Sequence, residues 1–360
     1  MNHNITYLKA IGIILMAMDH GACPERHVLD FNAMFHMPLF FIVSGYCFKD
    51  KYLASFPTFL KRRAKGLYVP FVKWGVLFAL LRPLFFALHI YDAEYGFHGV
   101  GAAQDDIVDT LHSCWIIVTQ MRGTDWLLGG YWFLNALFFG SLVAWGILRL
   151  CHGICKKKAR LQGRQAECAV AMSLALVAVV HATNFHIVFL NLNTRTFVAA
   201  FFFIAGYTLK MKRVPCMGYT AICVSTLFTA VASLYWSMPL DRTRYESWTL
   251  IPFCLTAVLA TWNLYSIFEK LQPKGLVHRL LSYTGENTLN ILTWHLLSFK
   301  FVSLVIILTY HLPIERMGEY PVMTEYSVRG WWLLYTITGV VLPLLVNKPI
   351  KSYAKRFSTQ

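Results

Sequence analysis

The stretch YLKAIGIILMAMDHG, residues 7–21, sets Lys9, Asp19 and His20 in an otherwise apolar run. Lys9 and His20 are eleven residues apart. On a helix that separation is three turns, which leaves them about 20° apart around the axis and about 16 Å apart along it. They share a face. Asp19 is turned about 100° from His20, so the two cannot readily form a dyad on their own helix. Asp19 needs a partner from elsewhere, with Arg26, His36 and Arg195 as candidates. A neutral imidazole can take a proton from a hydroxyl and return it to a leaving group. An ionisable group inside an apolar helix is costly and by default marks a functional position; for Lys9, snorkelling to the membrane edge is the other account.

Further polar groups punctuate other apolar runs. His36 opens FHMPLFFIVSGY, Trp132 and Asn135 lie in YWFLNALFF, Arg195 begins a later run, and His295 lies in GENTLNILTWH. His20, Asp19 and His36 are the candidates for proton transfer. Trp132, Asn135, Arg195 and His295 fall at similar depths and describe a polar path that can hold a substrate, although each alone reads equally as a satisfied buried polar group or an aromatic-belt residue. Lys61, Arg62, Arg63 and Lys65 form a basic cluster, with Gly285, Glu286 and Asn287 at matching depth. Such a cluster suits a polyanion such as a nucleotide phosphate. The charge rule for membrane proteins supplies the same cluster without a ligand.

These residues are positioned by membrane helices. The chain has 360 residues, 57% of them hydrophobic and only 14% charged, with a positive mean hydropathy, too apolar for a soluble domain of this length. A spanning helix needs about 20 mostly apolar residues. Ten segments qualify, at roughly 5–22, 33–48, 67–89, 130–150, 167–183, 195–210, 217–236, 248–268, 287–309 and 330–346. With the N-terminus in the cytoplasm, inner segments hold 22 of the 33 Lys and Arg and outer ones 7, while 13 of the 18 acidic residues lie outside. The positive-inside rule then places both termini in the cytoplasm. The expected fold is all-α and polytopic, a single integral-membrane domain over 1–360, with no linker to divide it. The net charge of +15 follows mainly from the same rule and gives no reason to invoke nucleic acid.

Two pieces outside the spans stand out. SFPTFLKRRAKGLYVPF suggests an interfacial helix at about 56–66 leading into the third span, and the outer acidic loop at about 90–129 contains a half-apolar stretch, TLHSCWIIVTQM, suited to an amphipathic surface helix. FFIVSGYCFK at 40–49 is echoed by FFFIAGYTLK at 201–210, both running from outside to inside; this pattern fits duplication of a bundle and also arises by chance or interfacial anchoring. The first apolar run is expected to stay in the mature protein, because no small-residue cleavage site follows it and cleavage would discard His20. The nine cysteines are scattered without paired spacing, so no disulfide framework is expected. CHGIC, with Cys151, His152 and Cys155 beside Lys156 to Lys158, can bind metal or carry a lipid but reads first as small polarizable residues at a membrane edge. No metal is expected.

Taken in order, Lys9 and His20, FHMPLFFIVSGY, basic FLKRRAKGLYVPF, YWFLNALFF and GENTLNILTWH on ten helices resemble the membrane acyltransferase family 3, most closely its fucose-4-O-acetylase-like branch. The resemblance covers nearly the whole chain. It implies transfer of an acyl group, usually acetyl from cytoplasmic acetyl-CoA, to a hydroxyl of an extracytoplasmic or lipid-linked glycan, in a bacterial plasma membrane. It further implies that His20 is the essential histidine and that the cluster at 61–65, with Lys9 and Asn287, helps bind the donor. Two departures stand out: Lys9 replaces the family's usual arginine, which keeps the charge but loses the bidentate fork, and Arg-x-x-Arg appears as Arg62-x-x-Lys65. The expected arrangement is a bore carrying the pantetheine arm from these cations to His20. A transporter or flippase for a glycan or lipid-linked intermediate is the competing class, since it also uses a polar midplane path. A sensor or channel with titrating histidines leaves the basic cluster without a role.

Overall fold

The computed structural model describes residues 2–157, 162–240 and 247–357, with side chains as far as Val346. Lys158 and Arg160, counted above among the inward-facing set, lie outside the described residues, as do the side chains of Lys348, Lys351, Lys355 and Arg356. Inside a bilayer every backbone N–H and C=O must be paired within the chain, which favours helices. Helices accordingly dominate: α1 (His3–His20), α2 (Arg26–Ala33), α3 (Pro38–Tyr46), α4 (Asp50–Ala54), α5 (Phe56–Arg63), α6 (Val69–Ala87), α7 (Ile107–Gln120), α8 (Trp132–Lys157), α9 (Gln165–Ala182), α10 (Thr194–Met211), α11 (Tyr219–Trp236), α12 (Ser247–Leu271), α13 (Gly275–Glu286), α14 (Thr288–Tyr310), the short α15 (Thr324–Tyr326) and α16 (Trp332–Phe357). The sole named strands among the described residues are a two-residue antiparallel pair, Gly96–Phe97 with Val100–Gly101.

Among the described residues, eight helices are long and apolar enough to cross a membrane: 26–46, 56–87, 126–157, 165–182, 219–236, 248–271, 288–310 and 324–346. The chain reads as a multi-pass membrane protein. Two of the ten segments expected from the sequence, α1 and α10, are not in this set. Each is 18 residues long, and each carries the polar residues singled out above, Lys9, Asp19 and His20 on one and Arg195 on the other, which lower its hydropathy. Both are interior elements. On α10 every residue from Thr194 to Tyr207 except Phe197 is buried, and α1 packs against α3, α12, α13, α14 and α16.

The sequence echo is a structural pair. The helices α3 and α10 pack against each other along the repeated segments. A Cβ added at Gly45 would sit 1.7 Å from the Phe203 carbonyl oxygen, and one at Gly206 would sit 1.9 Å from that of Ile42. In the alignment of the two segments Gly45 matches Gly206 and Ile42 matches Phe203. The contact is therefore reciprocal, as a local two-fold axis between the helices requires. In lipid, where apolar surface gains little by leaving its surroundings, such small-residue crossings are what let helices approach closely.

The basic helix α5 does not stop at an interface. A single π-helical turn, Ala64–Tyr68, joins it to α6, and the two form one continuous helix of 32 residues. In the outer loop, the expected amphipathic helix is α7, opened by a capping box between Asp106 and Asp109. It lies against α6: Ile117 is buried over Gly75, and the Tyr68 hydroxyl donates to the Val118 carbonyl at 2.6 Å. The loop is further tied by Arg82 to Asp105 at 3.1 Å, by the Tyr91 hydroxyl donating to Asp125 at 2.6 Å and by Tyr320 donating to the Trp126 carbonyl at 2.7 Å. Burial pushes the Asp125 carboxyl above its ordinary range, the Tyr91 hydroxyl opposing it.

Candidate active site

Two sites lie at opposite ends of α1. At the end bearing Lys9, a cavity of about 790 Å³ opens between α1, α3, α5, α8, α10 and α14. Its charged lining is entirely cationic: Lys9, Lys49, Arg62, Arg63 and Lys210. Its remaining wall is largely apolar and aromatic, including Phe40, Phe48, Phe59 and Phe133. The Arg63 guanidinium stacks 5.2 Å from the centroid of Phe59 and 5.1 Å from that of Phe203, and Arg62 lies 5.5 Å from that of Tyr52. The rings hold the two forks in place without consuming their hydrogen-bond donors. Lys61 and Lys65 are exposed and do not line the cavity. Four residues within five positions of a helix cannot all face one way. Asn287 is buried next to Thr288 and Leu289, which do line it, and its amide donates to the Tyr283 carbonyl at 2.7 Å.

At the other end of α1 two imidazoles meet. His20 Nδ1 and His295 Nε2 are 2.9 Å apart, with the rings stacked at 5.1 Å and 14° between planes. His295 is fully enclosed. Its Nδ1 lies 3.1 Å from the Ile291 carbonyl and 3.0 Å from that of Leu292. Carbonyl oxygens only accept, so His295 Nδ1 carries the proton and its Nε2 the lone pair. His20 Nδ1 must then donate, and in the neutral pair the lone pair of His20 resides on Nε2. The α14 backbone therefore sets the tautomer of a residue on α1. His295 had been read as lining a substrate path; its geometry makes it the partner of His20.

The other expected residues have separate settings. Asp19 is exposed; Arg26, one of its suggested partners, lies 3.7 Å from Asp30 instead. His36, in the turn between α2 and α3, is buried and donates from Nδ1 to the Asn32 carbonyl at 2.8 Å. Arg195 is buried at the start of α10, its guanidinium 4.8 Å from the centroid of the Trp132 ring. Asn135 spends both amide donor contacts on loop carbonyls, Met121 at 2.9 Å and Leu190 at 3.2 Å, which ties two loops to α8. Lys300, not singled out in the sequence, is buried on α14 and donates to the Met317 and Glu319 carbonyls at 2.8 and 2.7 Å.

Compared with known protein families, residues 2–348 match the model of acyltransferase family 3, described as an acyltransferase domain. The chain belongs to acyltransferase family 3. No curated protein and no solved structure gives a match.

For a family 3 acyltransferase the relation between the two sites is the central geometric fact. The cavity ends at Met16, Met37, Phe133 and Leu292. Met16 lies one helical turn before His20, Met37 next to His36, Phe133 next to Trp132, and Leu292 one turn before His295. The histidine pair thus stands about 6 Å beyond the blind end, the rise of one turn. Neither His20 nor His295 lines the cavity, and the lining residues nearest them are apolar, half of them flexible methionine.

Proposed function

We propose that this protein is an integral-membrane O-acyltransferase that moves an acetyl group from acetyl-CoA to a hydroxyl of an extracytoplasmic or lipid-linked glycan. The reading places the chain in a bacterial plasma membrane with ten crossings, α1 and α10 completing the eight apolar spans, and both termini in the cytoplasm. The single observation that carries it is the pairing of a cationic, aromatic-walled cavity with a histidine whose tautomer is fixed one turn past the cavity's end. A coenzyme has this shape: a polyanionic head for Lys9, Arg62 and Arg63, and a long thin arm for the apolar bore.

The chemistry follows from the tautomer. His20 Nε2 takes the hydroxyl proton as the acceptor oxygen attacks the thioester carbonyl carbon. The C–S bond of the tetrahedral intermediate then breaks, and the proton on Nε2 passes to the departing thiolate. Throughout, Nδ1–H stays bonded to His295, so the imidazolium formed at the midpoint has an acceptor aimed at it before the reaction begins. Of the sequence candidates, Asn135 and His36 already donate to backbone carbonyls, so Arg195 is the donor suited to a developing oxyanion, and Trp132 suits the face of a sugar ring. Bringing the thioester to His20 requires Met16 and Met37 to turn aside, a rotamer change that unbranched side chains make readily.

Two measurements test this reading. Cys47 is an exposed free thiol that lines the cavity beside Lys9. Alkylation of the Cys47 peptide by a maleimide, followed by mass spectrometry on detergent-purified protein, is expected to slow at least tenfold in saturating CoA, a change a peptide outside the cavity should not share. Equal rates with and without CoA would leave the cavity without its donor. For the histidine pair, His295→Leu removes the acceptor that holds His20 in one tautomer and should lower acetyl transfer on the order of 10- to 100-fold, as loss of an orienting partner does elsewhere. His295→Gln returns a carbonyl oxygen to the position and should recover part of the loss. Equal activity of the Leu and Gln variants would show that the hydrogen bond to His20 is immaterial. A transporter reading predicts neither acetyl transfer nor hydrolysis of labelled acetyl-CoA by the purified protein.

A further inference from the structure

Resting on the donor reading above, we infer that Lys49 and Lys210 form a second anion subsite at the rim of the cavity, one that meets the ribose 3′-phosphate of the coenzyme while Arg62 and Arg63 meet its diphosphate. The two lysines close the repeated segments, FFIVSGYCFK and FFFIAGYTLK, at equivalent positions. The reciprocal packing of Gly45 on Phe203 and Gly206 on Ile42 brings the C-terminal ends of α3 and α10 together, and both lysines line the same cavity. The Lys210 ammonium donates to the Phe48 carbonyl at 2.7 Å, which fixes it against the segment that carries Lys49. One of its three N–H donors is used there and two remain for a ligand. The nearest acid in sequence, Asp50, is turned to the Tyr207 hydroxyl at 3.2 Å, and the cavity lining itself contains no carboxylate.

The assignment of phosphates follows from side-chain chemistry. A diphosphate offers several oxygens to two rigid forks, whereas a terminal phosphate monoester suits compact point charges on flexible stems. Arg63 is seated over the Phe59 and Phe203 rings and Arg62 over Tyr52, while Lys49 and Lys210 close the C-terminal ends of the crossed helices α3 and α10. In the coenzyme, the diphosphate lies nearer the thiol than the 3′-phosphate does. A coenzyme whose diphosphate is held by the two forks then carries its 3′-phosphate to the lysines.

Protection of Cys47 from alkylation gives the readout without needing the acceptor. In the unsubstituted protein, dephospho-CoA, which lacks only the 3′-phosphate, should need about tenfold more ligand than CoA for half-protection. Lys210→Met and Lys49→Met should each raise the half-protecting concentration of CoA about three- to tenfold and leave that of dephospho-CoA unchanged. Lys210→Arg should behave as the unsubstituted protein, which separates charge from folding, and Lys156→Met, on the neighbouring exposed end of α8, should change nothing. If the Met variants bind CoA as the unsubstituted protein does, or weaken CoA and dephospho-CoA equally, the subsite is wrong while the donor reading stands. If CoA fails to protect the unsubstituted protein, the donor reading falls and the subsite with it.

Discussion

Acetyl transfer by the His20→Ala variant is expected to fall by about 10²–10⁴-fold, the range that acid-base catalysis by a positioned side chain supplies. The loss should appear in turnover and not in donor binding. His20 does not line the cavity, so CoA should protect Cys47 at the same concentration in the variant as in the unsubstituted protein. The amount of protein in the membrane fraction should also be unchanged. His20 is the last residue of α1 and only half-buried, and the contacts that seat α1, among Ile5, Leu8, Ile13 and Met16, are lower on the helix. Normal acceptor acetylation by His20→Ala would remove the general base from the mechanism. A parallel rise in the CoA concentration needed for protection would instead mean that the substitution disturbs the donor site.

The second large effect is on assembly. Gly45→Ala puts a methyl group 1.7 Å from the Phe203 carbonyl oxygen, a backbone atom that no rotamer change can move. The helices α3 and α10 must separate, and overpacking of this kind costs about 1–3 kcal/mol or more. Gly206→Ala meets the Ile42 carbonyl in the same way. Because both substitutions open one crossing, the double variant should lose less than the sum of the singles. Gly146→Ala on α8, where a Cβ meets nothing within 4 Å, should be neutral and serves as the comparison. The melting temperature in detergent measures the cost. CoA protection of Cys47 measures the consequence for function, since the same crossing brings Lys49 and Lys210 to the cavity. Wild-type stability in Gly45→Ala would contradict the close approach.

How much of this was legible in the sequence depends on what kind of information each feature carries. Local periodicity was enough to put Lys9 and His20 on one face of one helix, and the structure uses that face at both ends. Composition was enough for the all-helical membrane class. What periodicity cannot supply is which helices touch. His20 and His295 are 275 residues apart, and nothing near either one specifies the other; the sequence set His295 on a polar path and named no partner for it. The basic cluster shows the opposite failure. Lys61, Arg62, Arg63 and Lys65 were read as one group because they are adjacent in sequence, although about 100° per residue already forbids four of them from facing one cavity. The cations that complete the site, Lys49 and Lys210, were visible as the ends of a repeated segment, yet only the crossing of α3 with α10 turns that repetition into proximity. Helices α1 and α10 are a subtler case. Their polar residues pull them below the apolarity of the eight candidate spans, and helices shielded by their neighbours can carry charge that lipid-facing ones cannot.

The blind end of the cavity has a bearing on the cell as well as on the reaction. A bilayer that stores energy as a proton and ion gradient cannot tolerate an open water pore through one of its enzymes. On the histidine side the lining is hydrocarbon, with Met16, Met37, Phe133 and Leu292 as its last members. An enzyme of the proposed kind can admit a charged donor deep between its helices while such side chains oppose the passage of ions behind it.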